Sequence, residues 1–107
     1  MDNATRFADL CRKEKDGTLE DYLHPTCETA VSEQIRLLQL RPDQMEIMRQ
    51  IVDGILTDTY MTLLYALDGA ASIGGDQQLY RIKDEKGELI SDGGELEAAA
   101  YEVFYEE

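Results

Sequence analysis

Tryptophan is absent from this chain, and proline, cysteine and histidine are nearly so, with two, two and one residues respectively. The scarcity of cysteine excludes one class of protein outright. Two thiols, Cys11 and Cys27, cannot build the disulfide framework of a small secreted domain, so reduced cysteines and a cytoplasmic setting are expected. Long apolar runs are missing too. No stretch approaches the roughly 20 apolar residues of a membrane span. The opening Met1-Asp2-Asn3-Ala4-Thr5-Arg6 carries neither an apolar segment nor a cleavage signal, so no signal peptide is expected.

Basic residues are the remaining shortage. Ten Lys and Arg face 23 Asp and Glu, giving a net charge of −13. A field of that sign repels nucleic acid and anionic lipid, since both are bound by cations that displace counterions. The same field attracts basic protein surfaces and speeds encounter with them. The alternative is acidity that serves solubility alone. The charge is uneven: residues 1–41 carry eight acids and six bases, residues 42–75 five and one, and residues 76–107 ten and three. The last third therefore holds −7 of the −13, and a basic partner is expected to dock there.

What is present suffices for one core. A length of 107 residues with 43% hydrophobic side chains suits a single globular domain. Phe7, Leu10 and Cys11 share a helical face, so a short helix is expected from Ala4 to Lys15, capped by Asn3 and stopped at Asp16-Gly17. Thr18 and Asp21 form a capping-box variant that starts a short turn carrying Leu19, Tyr22 and Leu23. His24-Pro25 interrupts it. Thr26 caps a second helix reaching about Leu40.

Pro42 and Asp43 suit the start of a third helix, running to about Leu67. Its face Met45, Met48, Val52, Ile55, Leu56, Thr59, Leu63 and Leu67 is widened by Ile47, Ile51, Met61 and Tyr65. Such girth predicts a central helix packed on more than one side, with Ile55 and Leu63 buried. Asp68-Gly69 ends it. Gln78–Lys83 alternates as a strand, Asp84-Glu85-Lys86-Gly87 makes a hairpin turn, and Glu88–Ile90 returns. After Ser91-Asp92-Gly93-Gly94, a last helix puts Leu96, Ala99, Ala100, Val103 and Phe104 on one stripe. Its other face carries Glu95, Glu97, Glu102, Glu106, Tyr101 and Tyr105. The fold class is α+β, with about four helices and one antiparallel β-hairpin before the C-terminal helix.

No catalytic constellation emerges. His24 and Cys27 sit three apart beside a proline, but no third group orients them for nucleophilic chemistry. As metal ligands they fall short of even an open site unless carboxylates join. Gly69-Ala70-Ala71-Ser72-Ile73-Gly74-Gly75 has the smallness of a phosphate loop, yet it follows a helix, precedes a strand and lacks the Lys-Ser/Thr pair. Paired acids such as Glu20/Asp21 and Glu95/Glu97 lie off every apolar stripe, whereas general acid–base work needs a buried carboxyl. Asp53 and Asp58 fall in a helix with little polar girth, and their burial is a matter for the structure. A calcium loop of the D-x-D-x-D-G type is not found. Met45, Met48 and Met61 are core residues or, as an alternative, part of an adaptable apolar groove.

The run from Thr57 to Gly75, with Tyr80-Arg81 and the Glu95-Leu96-Glu97 helix, resembles the C-terminal half of small uncharacterised acidic bacterial proteins. That resemblance covers about half the chain and implies no activity. In size, acidity and lack of a catalytic constellation, the chain is also similar to bacterial immunity proteins and phage-encoded inhibitors. The expected function is therefore a cytosolic protein-binding inhibitor, such as an immunity protein neutralising a basic nuclease-like toxin. It would need no cofactor and no metal. Its partner-binding residues would be Glu95, Glu97, Glu102, Glu106, Tyr101 and Tyr105. The alternatives are an adaptor or stress-related binding protein with an apolar groove, or a small-molecule binder or enzyme.

Overall fold

A computed structural model describes residues 2–105. In chain order the elements are α1 (Asn3–Leu23), α2 (Ala30–Leu37), α3 (Pro42–Leu67), β1 (Ile82–Lys83), β2 (Leu89–Ser91) and α4 (Glu95–Tyr105). The architecture is the expected one, mostly helical, with a single antiparallel hairpin before the last helix. α3 is long and central, packing against both α1 and α4. Among the described residues, no helix is long and apolar enough to cross a membrane.

α1 departs from expectation by running unbroken through Gly17 for 21 residues. A mid-helix glycine costs about 1 kcal/mol relative to alanine. Beyond it Leu19 is buried, a gain of roughly 1.5–3 kcal/mol that outweighs the glycine. Glu20 adds an ion pair to Arg49 of α3. The cap is Asp2 rather than Asn3, its carboxylate accepting from the Thr5 amide at 2.7 Å. His24 ends the helix in extended conformation, as the following proline requires.

α2 is shorter than expected at both ends. The Thr26 hydroxyl is engaged with His24 Nδ1 at 2.9 Å, so capping falls to Thr29, which accepts from the Ser32 amide at 3.1 Å. At the other end Gln39 adopts φ 52, the left-handed region, and stops the helix before Leu40. α3 then starts at Pro42, with the Gln44 side chain accepting from the Arg41 amide at 2.9 Å.

The first strand is also shorter than its pattern. Only Ile82 and Lys83 pair with β2, with a bulge between them. Upstream, the Tyr80 amide donates to Leu67 O at 3.1 Å, and Leu79 bridges to Asp68. The end of α3 offers carbonyls that lack helical partners, and this segment satisfies one of them instead of extending the hairpin.

The main core lies where the first half of α1, the second half of α3 and α4 converge. Ala4 and Ala8 meet Met61 and Leu64 of α3 and Leu96, Ala99 and Ala100 of α4. Alanines on two of the three helices let the backbones approach closely. At the other end Leu19 is buried, the pairs Lys15–Asp53 and Glu20–Arg49 bridge α1 and α3, and α2 contributes Ile35 and Ser32. The shape is accordingly long, 46 × 29 × 26 Å.

One packing expectation fails. Ile55 and Leu63 are exposed rather than buried, and of α3 only Met61, Leu64 and Ala66 are fully enclosed. α1 and α4 cover one side of α3, and no further element of the described chain covers the other.

Candidate functional site: the acidic and tyrosine face of the last helix

Leu96, Ala99 and Ala100 bury one side of α4, with Val103 and Phe104 packed beside them. This turns the opposite side outward. Glu95, Glu97, Tyr101, Glu102 and Tyr105 are all exposed there. Glu106 lies outside the described residues. Glu97, Tyr101 and Tyr105 follow one another at four-residue spacing, so they form one row along the helix.

The row borders a shallow depression of about 540 Å³, lined by Glu97, Tyr101, Glu102, Gly94, Ala98 and Tyr65. Tyr65 arrives from α3, where the linear pattern alone places it in the helix's apolar girth. Nothing in the linear pattern marks it as a neighbour of α4; the crossing of the two helices brings it there. Burial, together with the Glu97 carboxylate, holds its phenol above the usual tyrosine range. The Tyr101 and Tyr105 rings lie 5.6 Å apart at 58°, a tilted aromatic pair.

The start of α4 is fixed by groups from two other elements. Asp68, the residue that closes α3, accepts from the Glu97 amide at 2.7 Å. Its second oxygen lies 2.8 Å from the buried Ser91 hydroxyl, which is also 3.0 Å from Glu95. Amide donors at the head of the helix and the Ser91 hydroxyl hold the Glu95 carboxyl below its ordinary range. Glu95 is thus partly occupied within the chain, whereas Glu97 and Glu102 project from the face.

A second concavity, about 600 Å³, runs between α1, α3 and the end of α4. Lys15 sits in its wall, its side chain only 10% exposed, 2.7 Å from Asp53 and 2.8 Å from Asp16. Burial opposes the charge of Lys15, but the two carboxylates prevail and raise its pKa. A lysine held as ammonium cannot accept a proton, so this cleft suits ion pairing rather than general-base chemistry. Asp53 is half-exposed within that pair, and Asp58 is exposed. Neither is the buried carboxyl that acid catalysis requires.

His24 and Cys27 are not aimed at one another. His24 Nδ1 accepts from Thr26, and the Cys27 sulfur is held by the Ser32 hydroxyl and the Thr29 amide, which lower its pKa. Among the described residues, no group of three or more His, Cys, Asp or Glu is arranged to hold a metal ion. The Gly69–Gly75 segment closes as a tight turn, with Ile73 and Asp76 exchanging backbone hydrogen bonds of 2.8 and 3.0 Å. No protein-family model, curated protein or solved structure matches the chain.

Proposed function

We propose that this chain is a protein-binding inhibitor of the cytosol that captures a basic partner on the outer face of α4. The observation that carries this is the pairing of exposed Glu97 and Glu102 with Tyr65 and Tyr101 around one depression. Tyrosine supplies broad contact area at low entropic cost and recurs at interface hot spots. Its ring face also attracts Lys and Arg side chains, and neighbouring carboxylates add hydrogen-bonded charge. The surrounding third of the chain, at −7, would steer such a partner inward. A nuclease-like toxin, whose own surface is basic because it binds phosphates, fits that chemistry. So does the similarity in size and acidity to immunity proteins and phage-encoded inhibitors.

The test is association kinetics with the basic partner recovered by affinity capture. Replacing Glu95, Glu97, Glu102 and Glu106 by Gln should lower the association rate tenfold or more at low salt, within the roughly 10–10³ range of electrostatic steering. The difference should shrink towards 1 M salt, where the Debye length is about 3 Å. His24→Gln with Cys27→Ser should leave binding unchanged. An association rate indifferent to both charge and salt would remove this reading. It would bring forward the adaptor with an apolar docking surface, which the exposed apolar side of α3 supports.

A further inference from the structure

The uncovered side of α3 has a regular composition. Ile47, Ile51, Ile55, Thr59 and Leu63 follow at four-residue intervals, a single ridge of about 24 Å at 1.5 Å per residue. Its four large members are 56%, 50%, 59% and 44% exposed, and Thr59 is exposed as well. No charged residue lies on the ridge itself. Contiguous apolar surface of this kind is rare on a chain that works alone.

Two whole-chain quantities agree that something covers it. A folded monomer of 12.1 kDa exposes about 6,000 Å². This chain exposes 7167 Å², an excess of roughly 1,100 Å² where a standard interface covers about 800 Å² per partner. The radius of gyration is 16.3 Å, against about 13 Å for a compact domain of this length.

We infer that the ridge is the two-fold interface of a homodimer, in which α3 packs antiparallel against α3 of a second copy, centred on Ile55. The pattern is its own complement. Ile51 and Thr59 lie four residues either side of Ile55, and Ile47 and Leu63 lie eight either side, so each residue of one pair meets the other across the axis. At the Leu63 end, a groove of about 420 Å³ opens between Asp58, Thr59, Thr62 and Leu63 of α3 and Ile73 of the following turn. The Ile47 end of the second helix is the segment that reaches it. Ridges of i+4 spacing are also the ones helices most often interdigitate.

Charge selects the occupant and the direction. The ridge itself is uncharged, with exposed Glu46 and Asp58 only at its margin, so two chains of −13 meet across it with the least repulsion. An antiparallel arrangement sends the two C-terminal thirds, −7 each, to opposite ends of the helix pair. It also opposes the helix dipoles favourably. The α4 face stays free, so the dimer offers two partner-binding faces.

Sedimentation equilibrium of the full chain should give twice the 12.1 kDa monomer mass. The double variant Ile51→Glu, Ile55→Glu should sediment at monomer mass with undiminished helical circular dichroism, because both side chains are exposed in the single chain. In a Cys11→Ser, Cys27→Ser background, Ile55→Cys should form an intermolecular disulfide alone. Ile47→Cys and Leu63→Cys should cross-link efficiently only when mixed. A wild type monomeric at every concentration, a dimer that survives the two glutamates, or Ile47→Cys chains that cross-link best with themselves would each overturn the inference. None of these results bears on the α4 face.

Discussion

Burial separates residues that look alike in sequence. Leu64 and Ile55 both belong to the apolar girth of α3, yet Leu64 is enclosed by α1 and α4 while Ile55 is not. Leu64→Ala should therefore cost about 2–5 kcal/mol, the range for a large-to-small change in a packed core. Ile55→Ala, measured at low chain concentration, should stay within about 0.5 kcal/mol, as exposed substitutions do. Urea denaturation of the two variants checks both; equal losses would mean that the covered side of α3 has been misassigned. The two cysteines part in the same way. Ser32 and Thr29 lower the Cys27 pKa, whereas burial raises that of Cys11. The thiolate is the nucleophile, so near neutral pH Cys27 should alkylate with iodoacetamide well before Cys11. Peptide mass spectrometry over a labelling time course reports the order, and equal rates would contradict the assigned environments.

Elements here are held by residues that belong to their neighbours. α1 survives Gly17 because Leu19 is buried beyond it, and α3 adds the pairs of Asp53 with Lys15 and Arg49 with Glu20. α4 begins where it does because Asp68, from the end of α3, accepts the Glu97 amide. Asp68→Ala removes that acceptor and the partner of Ser91 together. It should cost about 1–2 kcal/mol, the scale of losing an N-terminal cap. Amide hydrogen exchange should then speed up first in the opening turn of α4. Unchanged exchange there would show that the helix starts without Asp68. Much of this layer was legible beforehand. The α3 limits, the turn at Asp84–Gly87 and the buried stripe of α4 all follow from proline, glycine and periodicity. The misjudged ends, at Gly17, Thr26, Leu40 and Gln78, are places where a weak local signal met a specific tertiary or side-chain bond.

At the scale of the whole molecule, a thin core sits in a strong field. Of the ten buried apolar residues among those described, five are alanines, and the chain carries −13. Self-repulsion should therefore take a visible share of a small stability. Raising salt from low to moderate concentration should increase the melting temperature, because screening relieves repulsion before it weakens the few exposed ion pairs. Glu95, Glu97, Glu102 and Glu106 replaced together by Gln should leave the melting temperature unchanged or higher. A lower value would mean that those carboxylates stabilise the fold, Glu95 through Ser91 being the first suspect.

The sequence by itself determined the composition of the faces: which residues are acidic, which are apolar, and at what helical spacing they recur. Period and propensity are local properties, so α4's acidic wall and α3's length could be read from them directly. Only the tertiary structure decided which apolar face is covered. α3 has more apolar girth than its own chain encloses, and periodicity cannot tell a side filled by α1 and α4 from a side left open at Ile47, Ile51 and Ile55. The same holds for Tyr65, which joins the α4 face because two helices cross there, a contact between residues some thirty positions apart that no local pattern encodes.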